Sequence, residues 1–127
     1  MLNPSTADAV VDDPTIKRVI GFSTIWGWGG FVVYNLFALR ATDPQELTRH
    51  PDPIGPENDK FLDRIEVDRC VVAAWGSKGT HQRRDRIVSE RLINRGVRLS
   101  CLGTNSDGTP KHPLYLASST MLTAFSA

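Results

Sequence analysis

The sequence predicts an α/β fold with three layers, α/β/α, in which helices cover both faces of a short, mainly parallel central sheet. Three apolar runs, at residues 31–34, 70–75 and 97–102, have the length and composition of buried strands. The connections between them are too long for hairpins, which is typical of parallel strands joined by helices. The 127 residues, 40% of them hydrophobic, suit one domain, and we expect residues 1–116 to form its core and residues 117–127 a tail.

The first helix is predicted over residues 14–26. Asp13 offers a side chain for the N-cap, and Pro14 stands at the first helical position, where its fixed φ is favourable. Ile16 and Ile20 follow at helical spacing. These features together indicate a helix that packs one apolar face on the sheet.

The segment after this helix carries the clearest strand signal. Residues 31–34, Phe-Val-Val-Tyr, follow a glycine-rich stretch and indicate a strand that is buried on both faces. Asn35 ends the run. Because ligands of open α/β sheets bind beyond the carboxyl ends of the strands, we expect Asn35 to lie at a binding site.

The rest of the chain alternates loops, helices and strands. Four prolines between residues 43 and 58 predict an ordered loop with one short turn at residues 44–47. The other predicted elements are a helix over residues 56–67, a strand over residues 70–75, a basic helix over residues 80–94 and a strand over residues 97–102. The loops after Asn3, Asn35 and Trp75, and the segment after the last strand, should then meet at one edge of the sheet.

Charge is distributed unevenly, although the net charge is only +1. Residues 1–68 contain six Lys or Arg against eleven Asp or Glu, whereas residues 69–127 contain nine against three. The positive excess lies mainly between Lys78 and Arg98. Such a face could bind nucleic acid, and an ordinary solvated helix face explains it equally well.

Composition also argues against several classes of protein. No apolar run approaches the roughly 20 residues of a membrane span, and the N-terminus lacks a signal-peptide pattern, so a soluble cytoplasmic protein is expected. Cys70 and Cys101 each lie in an apolar run without metal-ligand spacing, so both are predicted to be buried free thiols. We predict no metal, no cofactor and no membrane partner.

Three polar side chains are candidates for chemistry. Asn35 presents donors and an acceptor on one planar group that could pair with a nucleobase edge; the alternative is a turn cap. Asn3 could orient a water molecule through its carboxamide oxygen, or it could simply form the Asn-Pro turn. His112, close to Pro110 and Pro113, could stabilise developing negative charge; the alternative is an ordinary surface histidine.

The loop at residues 76–80, Gly-Ser-Lys-Gly-Thr, lies between a predicted strand and a predicted helix N-terminus. Its backbone N–H groups, with Ser77 and Lys78, could hold a phosphate. The GxxxxGK[ST] spacing of a P-loop is absent, so ATP hydrolysis is not implied. A tight turn without a ligand explains the two glycines equally well.

Longer motifs resemble those of a bacterial family of unknown activity, the domain of unknown function 1643. The matching segments cover nearly the whole chain, at residues 1–8, 13–15, 35–44, 55–59, 74–76 and 112–116. On these motifs the chain is identified as a member of that family, which names no activity.

A second resemblance, to the uracil-DNA glycosylase superfamily, concerns function. It is carried by Leu2-Asn3-Pro4, by Val33-Tyr34-Asn35 followed by Leu39-Arg40-Ala41, by Trp75-Gly76-Ser77 and by His112-Pro113. The resemblance implies the same α/β order, with the site on the same loops. Because that superfamily normally has a strand upstream of the first motif, the sheet is expected to lack its N-terminal strand.

The glycosylase resemblance implies a role for each matching residue. Asn3 would position the attacking water, Asn35 would read the edge of a flipped base, and His112 would stabilise the charge on the released base. Phe22 would stack on that base. Contacts with phosphates or with the strands are expected from Ser5, Ser77, Lys78, Arg83, Arg84 and from Leu116, which takes the position of a wedging Leu.

The expected function is recognition of a flipped or modified nucleobase in nucleic acid, with cleavage of its N-glycosidic bond as the enzymatic form. Two alternatives stay open at this stage. One is a non-catalytic module that binds nucleic acid or a nucleotide in the same pocket. The other is an enzyme that acts on free nucleotides.

Overall fold

The computed structural model describes residues 1–4 and 13–126. Its helices and strands are short and are joined by long ordered loops. The helices are α1 (Pro14–Ile25), α2 (Glu46–Arg49), α3 (Asn58–Leu62) and α4 (Arg84–Asn94), with a 3₁₀ helix at Ser77–Arg83, and the strands are β1 (Val71–Ala73), β2 (Leu99–Cys101) and β3 (Thr123–Ala124).

Helix α1 begins where the sequence predicted and ends one residue earlier. The side chain of Asp13 accepts hydrogen bonds from the backbone N–H groups of Thr15 (2.8 Å) and Ile16 (3.2 Å). These bonds satisfy two of the N–H groups that a helix start leaves without partners. The predicted N-cap and the proline at the first helical position are therefore confirmed.

The predicted strand at residues 31–34 is wrong. These residues form no strand, and Val32 is 76% exposed. Within the described part of the chain, the backbone groups of residues 31–33 make no hydrogen bonds. The buried part of this segment lies further along, at Leu36 and Phe37, whose N–H groups donate to Met1 and Leu2 (3.0 Å each). The segment lacks a neighbouring strand, so its apolar residues are not covered.

The sheet that does form is small and mixed. β1 pairs with β2 in parallel, with Val71 opposite Leu99, and β2 pairs with β3 in antiparallel register. The described residues thus give a mixed α/β structure with a three-stranded open sheet in the order β1-β2-β3. The predicted arrangement, a mainly parallel sheet with helices covering both faces, goes beyond this small sheet and stays a prediction.

The C-terminal segment contributes to the sheet and to the core, although nothing in the sequence predicted a partner for it. β3 belongs to residues 117–127, the expected tail. The ring of Phe125 is buried and packs edge-on against Trp75, with 5.9 Å between ring centroids. Its partner lies 50 positions earlier in the chain, so no local pattern could reveal this contact.

Two predicted helices are shorter or broken. The helix expected at residues 56–67 is only α3, five residues long. The basic helix expected at residues 80–94 is the 3₁₀ helix followed by α4, with a kink at His81 and Gln82 and a left-handed Arg83 (φ 54°) at the junction. This junction sets the position of Arg84, which begins α4.

The two cysteines differ. Cys101 is buried in β2, as predicted, whereas Cys70 is exposed just before β1. The prediction for Cys70 is wrong because β1 lies at the edge of the described sheet.

Among the residues described, none of the helices combines the length and apolarity needed to cross a bilayer. The same residues contain no cluster of three or more His, Cys, Asp or Glu side chains arranged to hold a metal ion.

Candidate functional site

A cavity of about 800 Å³ opens between the segment that follows α1 and the strand β1. Its walls are mostly apolar and aromatic, and Asn35 lies on them. The aromatic residues that line it are Phe22, Trp26, Trp28, Phe31, Tyr34 and Trp75. Ligand cavities in proteins commonly combine such apolar walls with a few placed polar groups.

Asn35 is one of the polar residues that line this cavity. Its carboxamide has no hydrogen-bond partner within residues 1–4 and 13–126, whereas its main-chain oxygen accepts a bond from Asn58 Nδ2 (2.9 Å). A half-buried carboxamide with unused donors and acceptor can pair with a planar polar ligand. Asn35 is therefore held by its backbone and left available through its side chain.

A network of side chains from α3 and α4 fixes the loop that carries Asn35. The main-chain oxygen of Leu36 accepts from Asn58 Nδ2 (3.0 Å) and from Arg84 Nε (2.7 Å). The guanidinium of Arg84 also forms a 2.6 Å ion pair with Asp59. Because Arg84 is only 2% exposed, we leave it out of the residues proposed to contact phosphates.

One face of α1 and its C-cap carries a row of stacked groups, two of which, Phe22 and Trp26, line the cavity. Arg18, Phe22 and Trp26 are spaced four residues apart and so share that face. The Phe22 ring stacks on Trp26 with centroids 5.2 Å apart, and the Arg18 guanidinium lies 4.9 Å from the Phe22 centroid. Phe22 thus lines the cavity as expected, but its ring is already packed against two neighbours.

Asn3 is oriented by backbone carbonyls of another loop. Its Nδ2 donates to the oxygens of Leu39 and Ala41 (2.9 Å each) and of Pro4 (3.1 Å). Its Oδ1 has no donor within the described residues. The amide nitrogen is thus saturated, and the oxygen is the group that could accept a hydrogen bond from water.

His112 is held in one tautomer. Its Nδ1 accepts the N–H of Leu114 (3.3 Å), so a neutral ring carries its proton on Nε2. Burial lowers the pKa of His112, the ammonium of Met1 lowers it further, and the Asp13 carboxylate opposes both effects. The ring is therefore neutral at pH 7 and can donate one hydrogen bond from Nε2.

The four segments that were predicted to meet at one edge of the sheet contact one another in two pairs. Met1 and Asn3 bond to the segment around Asn35, and Gly76 donates to the oxygen of Pro110 (3.0 Å) beside His112. Asn35, Phe22 and Pro113 line the large cavity, whereas Asn3 and His112 do not.

Of the residues expected to contact phosphates, some are exposed and others are held in contacts within the protein. Ser77, Lys78 and Arg83 are exposed, and within the described chain no ion pair involves Lys78 or Arg83. Further along α4, Arg91 is paired with Asp63 (2.6 Å). Ser5 lies outside the described residues. The basic face that remains open is thus smaller than the sequence suggested.

The loop after His112 projects an aromatic residue. Leu116 is half-buried, its N–H donates to the oxygen of Pro113 (3.3 Å), and its own oxygen accepts from Arg18 Nη2. Tyr115, one position earlier, is 93% exposed and has a φ of 70°. Tyr115, and not Leu116, therefore stands at the tip of this turn.

The family of the chain follows from comparison with known families. A family model described as "Protein of unknown function (DUF1643)" matches residues 1–114. The chain belongs to this DUF1643 family. No curated protein matches it, and neither does any solved structure.

Several residues that build this DUF1643 site escaped the sequence analysis. Asn58 and Asp59 lie in the Gly-Pro-Glu-Asn-Asp motif at residues 55–59, which served only to recognise the family. That motif was the available signal. Its polar residues Asn58 and Asp59 follow Gly55 and Pro56, which break helices, and yet they lie on α3. Tyr115 lies in the motif at residues 112–116, which likewise served only to recognise the family, and for Arg18 the sequence offered no signal.

Proposed function

We propose that this DUF1643 domain binds a single unstacked nucleobase of a nucleic acid at the Asn35 end of the cavity. The observation that carries the proposal is that Asn35 lines an aromatic cavity while its carboxamide has no partner among the described residues. An amide reads a base edge through its paired donor and acceptor, and aromatic walls accept the face of the base. The network of Asn58 and Arg84 keeps this amide in position.

The exposed basic groups support contact with the sugar-phosphate backbone. Ser77 and Lys78 lie at the start of the 3₁₀ helix that precedes α4, and Arg83 is the N-cap residue of α4. Such contacts set the position of a strand without reading its sequence. Tyr115 takes the role expected of Leu116, because an exposed aromatic ring can stack on a neighbouring base.

The enzymatic form of the proposal is hydrolysis of the N-glycosidic bond. Water held by Asn3 Oδ1 adds to the sugar C1′, the C1′–N bond breaks, and its electron pair goes to the base. The water loses its proton to solvent, and the base gains one. His112 Nε2–H would donate a hydrogen bond to the base oxygen as negative charge develops there. Neither redox chemistry nor metal activation enters these steps.

A second candidate is a non-catalytic module that binds the base without cleaving it. The observation that favours it is that Asn3 and His112 do not line the cavity in which Asn35 and Phe22 lie. This candidate predicts salt-sensitive binding without turnover, since each phosphate contact releases counterions. An enzyme on free nucleotides would instead bind mononucleotides and discriminate against oligonucleotides.

One set of assays separates these outcomes. The wild-type chain is mixed with single-stranded oligonucleotides that carry one uracil or one hypoxanthine, and both binding and release of free base are measured. Release that is lost in Asn3→Ala and His112→Ala supports the enzyme. Binding without release, lost in Asn35→Ala and kept in the control Asn94→Ala, supports the module. Binding of mononucleotides alone contradicts both.

A further inference from the structure

We propose that a second cavity, of about 390 Å³ between α2 and the 3₁₀ helix, binds a small sugar phosphate. We call it the phosphate cleft. Its polar lining residues are Thr48, Ser77, Lys78, Thr80 and His81. Pro44 and Leu47 line the rest of it with apolar groups. This proposal goes beyond the proposed function, in which Ser77 and Lys78 only contact the backbone of a strand.

The phosphate cleft is distinct from the large cavity that contains Asn35. The two cavities share no lining residue. Gly79 of the 3₁₀ helix packs on the wall of the large cavity, since a Cβ at this position would collide with Trp75 and crowd Leu36. A ligand in the phosphate cleft therefore uses groups that a base at Asn35 does not.

The charge on the lining of the phosphate cleft favours an anion. The Lys78 side chain is exposed, and its ammonium forms no ion pair within residues 1–4 and 13–126. No Asp or Glu is among the residues that line the cleft. An ammonium without a carboxylate partner is a common point-charge ligand for phosphate.

Two more polar groups of the phosphate cleft have unused hydrogen-bonding capacity. The Ser77 hydroxyl makes no hydrogen bond in the part of the chain that the structure describes. His81 Nε2 is buried and has no partner in that part, and the His81 ring lies 5.8 Å from the Phe37 ring, centroid to centroid. Because buried polar groups nearly always have a partner, an oxygen of a ligand seated against this ring would supply the missing one.

The two threonines offer acceptors for hydroxyl groups. Thr48 Oγ1 donates to the oxygen of Gln45 (2.7 Å), and Thr80 Oγ1 donates to the oxygen of Ser77 (3.0 Å). Each hydroxyl has thus used its proton, and its oxygen still accepts a hydrogen bond. Donors for an anion beside acceptors for hydroxyl groups match a phosphorylated sugar. That chemistry occurs in free sugar phosphates and in the 5′-terminal nucleotide of a strand.

Calorimetric titrations of the full chain with ribose 5-phosphate, ribose and inorganic phosphate test the proposal. We expect both phosphates to bind and ribose not to. Lys78→Gln should weaken both phosphates by about tenfold or more, as expected when a hydrogen bond to a charged group is lost. Thr48→Val keeps the shape and removes the oxygen, so it should weaken ribose 5-phosphate by about fivefold and leave inorganic phosphate unchanged. The control Arg86→Gln changes an exposed cation of α4 outside the cleft and should affect neither ligand.

Failure of ribose 5-phosphate to bind, or equal binding by Lys78→Gln and wild type, would overturn the proposal. Equal weakening of both phosphates in Thr48→Val would overturn the assignment of a sugar. Asn35→Ala should keep ribose 5-phosphate binding, so a failure of base binding and a failure of this proposal are told apart.

Competition with oligonucleotides identifies the source of the sugar phosphate. Displacement of ribose 5-phosphate at lower concentrations by a 5′-phosphorylated strand than by free ribose 5-phosphate would assign the phosphate cleft to strand ends. Displacement only at equal or higher concentrations would assign it to free sugar phosphates. Equal displacement by strands with and without the 5′-phosphate would overturn the proposal, because the cleft would then contact only the phosphodiester backbone.

Discussion

The buried side chain of Asn58 donates one hydrogen bond to the main-chain oxygen of Asn35 (2.9 Å) and a second to that of Leu36 (3.0 Å). The carboxamide of Asn58 thereby replaces backbone pairing in a segment that forms no strand. Asn35 is positioned through its main chain, and its side chain is left for a ligand. Asn58 is thus the positioning residue of the proposed site.

Replacement of Asn58 by Ala should lower the free energy of unfolding by about 2 kcal/mol, because the main-chain oxygen of Asn35 loses its donor and that of Leu36 keeps only Arg84. Urea unfolding measures this loss. The control Asn94→Ala changes an exposed residue of α4 and should stay within about 0.5 kcal/mol of wild type. Equal midpoints for the two variants would contradict the role given to Asn58.

Arg84 and Arg83 are adjacent in sequence, but we expect substitution of Arg84 to lower stability and substitution of Arg83 to weaken binding. Arg84→Met removes the 2.6 Å ion pair with Asp59 and the buried bond to the Leu36 oxygen, and it should cost about 3 kcal/mol of stability. Arg83→Gln should leave stability nearly unchanged and weaken oligonucleotide binding at low salt. Thermal melts and binding titrations of both variants check this. A stable Arg84→Met variant with weakened binding would mean that Arg84 contacts the nucleic acid after all.

The buried N-terminus makes stability depend on pH. The pKa of the Met1 ammonium falls from 8.0 to about 5 on folding, so between these values the unfolded chain binds more protons. Stability should therefore rise with pH, by up to about 1.4 kcal/mol per unit in this window. His112 acts in the same direction below its usual pKa, since burial lowers its pKa too.

Acetylation of the N-terminus isolates the contribution of Met1. The acetylated chain keeps an N–H for Tyr34 and loses the charge, so it should be more stable than the free amine at pH 6, by about 2.7 kcal/mol. The difference should vanish above pH 8. Urea unfolding across this range measures it. A constant difference from pH 5 to 9 would contradict the assignment.

Tyr115 combines a strained backbone conformation with an exposed aromatic ring. It occupies the third position of the turn closed by the bond from Leu116 to Pro113, with a φ of 70° that normally requires Gly. Tyr115→Gly should stabilise the chain by about 1 kcal/mol. If the ring stacks on a base, the same variant should bind oligonucleotides roughly tenfold more weakly. Tyr115→Phe is the matched control and should keep binding; loss of binding in both variants, or in neither, would argue against stacking.

The sequence predicted those parts of the fold that depend on local signals. Asp13 and Pro14 fixed the start of α1, and the apolar run before Trp75 contained β1. The parts it missed depend on distant partners. Residues 31–34 look like a buried strand, but no strand of the described residues pairs with them, and Phe125 contacts Trp75 only in three dimensions.

The same distinction applies to the site. Asn35 and Phe22 were expected to share a pocket, and both line the large cavity. Whether an arginine is buried or exposed cannot be read from helix position alone, because burial of Arg84 depends on Asp59 and on a carbonyl of another loop. The roles of Asn3, Asn35 and His112 in base handling stay predictions.

The central claim is that Asn35 reads a base, and it is tested most directly with strands that differ at one position. Fluorescence anisotropy compares binding of single-stranded oligonucleotides carrying uracil, thymine, hypoxanthine or an abasic analogue at the same central position. We predict that one base binds at least about tenfold more tightly than the abasic strand, as expected for a bidentate contact, and that Asn35→Ala removes this difference but leaves abasic binding unchanged. Equal affinity of the wild-type chain for all four strands would contradict the claim.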